Sequence, residues 1–383
     1  MSALADLVRP GMRIALADGT GSPRTLTPEL TALARRHGDL RLLTGWLPAP
    51  DPGLDPGAFA DARTLMPGWG LRRHVDAGTL RVLPVRMSAV PALLAGPPLR
   101  PDLLVATLVE RPDGLRFGSE VAWMRGLVEA GVPVAAVVSR TAPCADAGDP
   151  LPDAAITVVA GTDDGPAEVT TPEPGPVEAA IAAHVAGLVP EGARVQVGPG
   201  RLGSAVLAAL HVPVRVDSGL LPESVVDLDE RGLLLAATAT YLVGTRRLYE
   251  WADGKPLLGA VETVHDPSRL ADPLPAPLIA VNTALEIDAD GQVNVEGTAT
   301  SVMGGIGGHP DYAMAGSRCP GGLSVVALAA AHGGRPTLVE RLSRPVTTAG
   351  HDVDVVVTEH GVADLRGCDR AERRHALRAL WGG

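Results

Sequence analysis

Two glycine-rich stretches in this chain could do chemistry through their backbone. Gly198-Pro199-Gly200 follows a short apolar run and precedes a helical pattern. Glycines there let the chain come close to a ligand, and a helix start offers unpaired N–H groups to an anion. Taken alone this is an ordinary α/β turn. Met303-Gly304-Gly305-Ile306-Gly307-Gly308 is more unusual, with four glycines in five positions. Such a backbone can aim several N–H groups at one point, which in acyl transfer stabilises the oxyanion of a tetrahedral intermediate. The plain alternative is a flexible surface loop. Glu286 and Asp288, two apart, share a face if extended and are expected to hold loops. Glu359 follows a strand end and could orient site loops. Cys319 raises the question of a thiol nucleophile, but that needs a base or a depressed pKa. No His is adjacent in sequence, so a small buried thiol is expected.

The elements that must position these residues read as α/β. Short apolar runs at 41–44, 103–108 and 132–138 are candidate buried strands, and 117–130 reads as a helix before the last of them. A second series follows: helix 177–188, strand 193–197, helix 203–210, strand 214–216, then strands 323–330 and 353–358. Residues 370–381 close the chain as an Arg- and Ala-rich helix. Alternation of this kind marks parallel β-α-β units. The segment 163–176 concentrates Pro, Gly, Thr and acids and reads as a surface linker. Two α/β domains are therefore expected, residues 1–175 and 176–383, each with a mainly parallel sheet and flanking helices.

Composition narrows the function classes. The chain has 383 residues, 46% hydrophobic and only 3% aromatic, so its core must be built from Ala, Val and Leu. A formal net charge of −11 argues against a general nucleic-acid binder, which needs a basic face. It leaves room for a small anionic ligand, because local arginines and helix starts can hold phosphates on an acidic protein. Cys144, Cys319 and Cys368 are widely spaced without a Cys-x-x-Cys pair, so neither a zinc site nor a disulfide framework is expected. No run of about 18 apolar residues suggests a membrane span. The first residues lack the pattern of an export leader, and a cytoplasmic location is expected.

Several stretches together resemble the acetyl-CoA hydrolase/transferase family, of the 4-hydroxybutyrate CoA-transferase kind. Residues 214–231, VRVDSGLLPESVVDLDER, resemble its Gly-x-His-Ser/Thr-Glu-Met-x-x-Asp-Gly-Val-Val-Asp-Leu segment. Residues 195–206 resemble its Gly-x-Gly loop, with Gly203 in place of Pro. Residues 280–296, AVNTALEIDADGQVNVE, resemble its Asn-x-Ala-x-Glu-x-Asp-x-x-Gly-Gln-Val-Asn stretch. Gly305-Ile306-Gly307-Gly308 with Asp311-Tyr312, and residues 352–366, complete the series in the family's order. Gly19-Thr20-Gly21-Ser22-Pro23 and Arg111-Pro112-Asp113-Gly114 with Gly118 match more loosely. The resemblance implies two CoA-transferase-like domains and coenzyme A or an acyl-CoA as substrate or ligand, with no covalently bound cofactor and no metal. It places Gly198, Pro199, Gly200, Gly219, Asn282, Gly305, Ile306, Gly307 and Gly308 at the ligand. It also implies a homodimer, or a hetero-complex with a Glu-bearing homologue.

The same alignment puts the family's nucleophilic Glu on Gly219, the family His on Asp217 and the family Asp on Glu223. A glycine cannot attack a thioester. Asp217 lies on the same side of an extended strand as position 219 but roughly 6–7 Å away. A role as general base on water asks less of it than direct attack. Glu223, in the turn after Pro222, is the other carboxylate candidate. Three readings follow: an acyl-CoA-acting enzyme that uses water and a carboxylate base, a CoA-ester-binding protein or partner subunit without turnover, and a scaffold recruited for another substrate. The first is the working reading.

Overall fold

The computed structural model describes residues 3–382; the outermost residues of the two expected domains, Met1, Ser2 and Gly383, lie outside the described residues. The chain forms two compact α/β units. The first comprises residues 1–85, 89–169 and 240–262, and the second 86–88, 170–239 and 263–383.

In the first unit Arg81–Val82, Asp61–Thr64, Arg41–Thr44, Arg13–Leu16, Leu103–Arg111, Val134–Ser139 and Ile156–Thr162 lie side by side in that order, all parallel. Gly114–Arg116 folds back antiparallel on Leu103–Arg111. Ile14, Leu16, Leu42, Val105 and Val137 pack against Leu30, Leu33 and Ala34 of helix Thr27–His37. Branched side chains suit a sheet buried on both faces, which is why these strands read as continuous apolar runs.

The second unit repeats the plan. Its order is Leu234–Thr238, Val214–Asp217, Arg194–Val197, Leu278–Thr283, Leu323–Ala327, Val355–Thr358 and Gly361–Asp364, parallel except for the last pair. The closing helix Arg370–Leu380 starts on a reciprocal cap: Asp369 accepts from Ala371 N and Glu372 N, and Glu372 accepts from Asp369 N. It buries Leu377 and Leu380 beside Val326 and Val356.

One expected helix is much shorter than the periodicity suggests. Of residues 117–130, only Met124–Glu129 is helical. Phe117 and Val121 are buried, but Glu120 and Ala122 bridge to Tyr241 and Ala260, and Ala122 takes φ +43°. Backbone pairing with a distant segment overrides the local helical pattern there.

Candidate active site

Chain order in the second sheet reverses direction once. From Arg194–Val197 the strands proceed outward to Val214–Asp217 and Leu234–Thr238; the chain then returns to the other side of Arg194–Val197 with Leu278–Thr283. Ligands of open α/β sheets bind beyond the strand ends at such a switch point. Gly198-Pro199-Gly200 leaves one of these strands and Asn282 lies next to the last residue of the other. Gly200 adopts φ +100° as helix Arg201–Ala209 begins, a conformation that favours glycine. A side chain at Gly203 would sit 2.0 Å from the Gly198 carbonyl oxygen, so the helix can lie against the loop only with glycine there. Ser218 Oγ, fully buried, donates to Val197 O at 3.0 Å and ties this loop to the segment carrying Gly219.

Asp217 ends its strand buried between two arginines. Both its oxygens accept from Arg269 at 2.8 Å, and Oδ2 is 3.3 Å from Arg194 Nη1. Arg269 also donates to the carbonyls of Thr263 and Val264, at 2.7 and 3.0 Å. Arg194 donates to Ala276 O at 2.7 Å, Leu270 O at 2.9 Å and Asp272 O. The carboxylate thereby anchors segment 263–272 to the sheet. Glu223 stands half-buried at the start of helix Ser224–Glu230.

Segment 263–272 delivers a residue that sequence reasoning did not single out. His265 lies in the turn before helix Pro267–Ala271, whose start Asp266 caps by accepting from Ser268 N at 2.8 Å. The imidazole is 3% exposed. A Cβ added at Gly219 would lie 3.2 Å from its Cε1 and Nε2; one at Gly308 would lie 2.4 Å from Cε1 and 2.8 Å from Nδ1. Two half-buried positions without side chains therefore flank the ring, Gly219 toward Nε2 and Gly308 toward Nδ1. Tyr312 braces it edge-on, with ring centroids 5.1 Å apart, and donates to Val264 O at 3.3 Å. Nδ1 has no hydrogen-bond partner, and Asp311 Oδ2 is 3.9 Å away. Burial, reinforced by the Arg269 charge, lowers the His265 pKa to about 3, so the ring is neutral at ordinary pH.

Asp311 sits fully buried in the first turn of helix His309–Arg318. Ser88 N and Oγ donate to its two oxygens at 2.9 and 2.6 Å, and Arg86 Nη1 is 3.9 Å away. Burial raises its pKa against the opposing Ser88 hydrogen bonds. The same short segment pairs with the glycine loop, since Met87 N donates to Gly307 O at 3.0 Å. Gly307 is buried with φ +59°. Gly308 borders the imidazole, and a side chain at Gly200 would meet nothing within 4 Å. Gly305 and Ile306 lie half-buried in the same loop.

Asn282 is buried; its Oδ1 accepts from Gln196 Nε2 at 3.4 Å, while its Nδ2 has no partner. Glu286 accepts from Asn294 Nδ2 and from Ser343, and Asp288 from Asp290 N and Gln292, so both brace loops. Glu359 accepts from Ala330 N at 2.8 Å. Cys319 belongs to the core with Leu270, Leu278 and Tyr312. Among the described residues no group of His, Cys, Asp and Glu is arranged to hold a metal ion, and no helix is long and apolar enough to cross a membrane.

The first unit has its own buried polar cluster at its switch point, just beyond Arg13–Leu16. Asp18 Oδ2 accepts from Trp46 N, Trp123 Nε1 and Tyr241 Oη at 2.8, 2.9 and 3.0 Å. Glu120 Oε2 accepts from Gly21 N at 3.0 Å and Ser119 Oγ at 2.8 Å. Burial pushes the two carboxyls up, to about 6 for Asp18 and about 7 for Glu120. The loosely matching stretches at Gly19-Thr20-Gly21-Ser22-Pro23 and at Gly118 border this cluster, but they singled out neither Asp18 nor Glu120.

Comparison with known proteins converges on one group. Residues 244–380 match the acetyl-CoA hydrolase/transferase C-terminal domain. The chain is 26% identical to a succinyl-CoA:acetate/propanoyl-CoA:succinate CoA transferase of Fasciola hepatica, over 97% of this chain and 82% of that one. It is 29% identical to the 4-hydroxybutyrate coenzyme A transferase of Clostridium kluyveri over 55% of this chain, spanning 52% of that enzyme's length. Its fold matches the crystal structure of RipA from Yersinia pestis with a TM-score of 0.83, at 22% identity over 98% of this chain and 92% of the other.

Proposed function

We propose that this protein acts on acyl-CoA thioesters and cleaves them with water rather than through an acyl-enzyme anhydride. The observation that carries the reading is position 219. The resemblance assigns it the family's nucleophilic Glu, yet it is a glycine whose side-chain direction points at an imidazole. The surrounding apparatus supports retained thioester binding: the Gly198-Pro199-Gly200 turn at the switch point, and the glycine loop that ends at Gly308. Backbone N–H groups of that loop are the proposed donors to the developing oxyanion. Asp217 is assigned to anchoring, because its oxygens are engaged by two guanidinium groups and a proton taken up there would weaken both pairs. Glu223 is left at the helix start. A homodimer is the proposed assembly, checked by light scattering.

The test is incubation with a panel of acyl-CoAs, following thiol release and bound CoA together. Hydrolysis without any CoA adduct on the protein is the expected result. A second reading, binding without turnover, is favoured by the same glycine, and calorimetry showing CoA binding with no thiol release would select it. Absence of both binding and release would refute the acyl-CoA reading itself.

A further inference from the structure

We infer that His265, flanked by Gly219 and Gly308 and backed by Asp311, is the general base that activates the hydrolytic water. This rests on the acyl-CoA reading above and supplies the proton acceptor that reading lacks. With no side chain at 219 or 308, the first functional group beneath those two positions is the imidazole. Its Nε2 faces Gly219, where the resemblance places the carboxylate that meets the thioester. Nδ1 is buried, unpartnered and 3.9 Å from Asp311 Oδ2. That gap is longer than a hydrogen bond, as base–orienter contacts often are before substrate binds. A proton held on Nδ1 toward Asp311 leaves the Nε2 lone pair for water, the division of labour of an imidazole between a carboxylate and a reacting atom. Tyr312 fixes the ring from its edge, and Ser88 and Arg86 hold Asp311 from the other side. The charged groups around the ring are Asp311, Asp217 and Arg269. Burial keeps the ring neutral but weakens it as a base, so the negative charge of Asp311 must stabilise the imidazolium as it forms.

The step balances without a co-reactant. Nε2 takes a proton from water while the hydroxyl oxygen bonds to the thioester carbonyl carbon. The tetrahedral intermediate collapses with cleavage of the C–S bond, and the imidazolium returns its proton to the departing sulfur. The products are a carboxylic acid and free CoA.

The experiment uses the full chain with acetyl-CoA and succinyl-CoA as probes. His265→Gln keeps a polar side chain of similar bulk. It is expected to lower the rate of thiol release at least about 100-fold while CoA affinity by calorimetry stays within a few fold. His265→Ala should be slow in the same way, and added imidazole should restore part of its rate, which a purely structural histidine would not show. If His265→Gln fails to fold, the rescue of His265→Ala decides. Wild-type turnover retained in a folded His265→Gln variant, or a folded His265→Ala variant unmoved by imidazole, overturns the assignment and leaves the acyl-CoA reading standing. Wild-type protein that binds CoA without releasing thiol also overturns it. Wild-type protein that neither binds nor releases CoA overturns the acyl-CoA reading, and the base falls with it.

Discussion

At the scale of single residues, the space at position 219 makes a sharp expectation. A Cβ there already lies 3.2 Å from the His265 ring, tighter than comfortable contact, so the imidazole must give by a few tenths of an ångström before any side chain fits. Gly219→Glu alone is expected to destabilise the protein by roughly 1–3 kcal/mol, as overpacking does, and to form no CoA adduct. Combining it with His265→Ala vacates the ring's volume. In that double variant, mass spectrometry should trap CoA on the new carboxylate when acyl-CoA and a small carboxylate acceptor are supplied. A denaturation midpoint unchanged by Gly219→Glu would show that the ring yields freely. The motif alone could place Gly219, because spacing along one strand is a local property. It could not find His265, which enters from residues 263–272 through a three-dimensional contact. The only local trace was His265-Asp266-Pro267, which reads as a helix start and says nothing of where the imidazole points.

At the scale of elements, the buried Asp217 contact is what holds that segment on its strand. Asp217→Asn removes the charge facing two arginines, one of them nearly fully buried. The expected loss is about 3–5 kcal/mol, the cost of stranding a buried ion, read by urea unfolding. Since Arg269 also grips the carbonyls of Thr263 and Val264, thiol release should fall as well, with CoA affinity less affected. A variant as stable as wild type would mean that the arginines find other partners. Much of this level was legible in the sequence. The apolar runs expected at 41–44, 193–197 and 353–358 appear as strands Arg41–Thr44, Arg194–Val197 and Val355–Thr358, because a doubly buried sheet tolerates little else. The helix expected over 117–130 failed at its first half, where pairing with residues 241 and 260 decided the backbone. Carboxylates with plain local roles, such as Glu286 and Asp288, were also legible, since their partners lie in nearby turns or adjoining strands.

At the scale of the whole molecule, the buried acids of the first unit and the buried histidines of the second should respond to pH in opposite senses. In the first, Asp18 and Glu120 protonate at about 6 and about 7, above their ordinary values. The folded state then holds more protons than the unfolded chain between about pH 4 and 7. Their contribution is fully present below that window and lost as pH rises through it. In the second, His265 and His309 are lowered by burial to about 3 and about 4. Their contribution is present above about pH 6.5 and lost as pH falls; Asp311, raised by burial, partly opposes this. Hydrogen exchange corrected for its intrinsic pH dependence should show protection shifting toward the second unit from pH 5 to pH 8. Glu120→Gln should flatten the response of the first, and parallel changes in both units would contradict the account. Another consequence comes from how the chain is divided. The first unit includes residues 240–262, and the second borrows 86–88. During synthesis, the early sheet therefore waits for a stretch made long after its own strands, including Tyr241, whose hydroxyl binds Asp18. Neither unit can be finished before the ribosome has passed well beyond the middle of the message. The nascent protein must hold an open, apolar sheet through that interval, which makes it a natural client for chaperones.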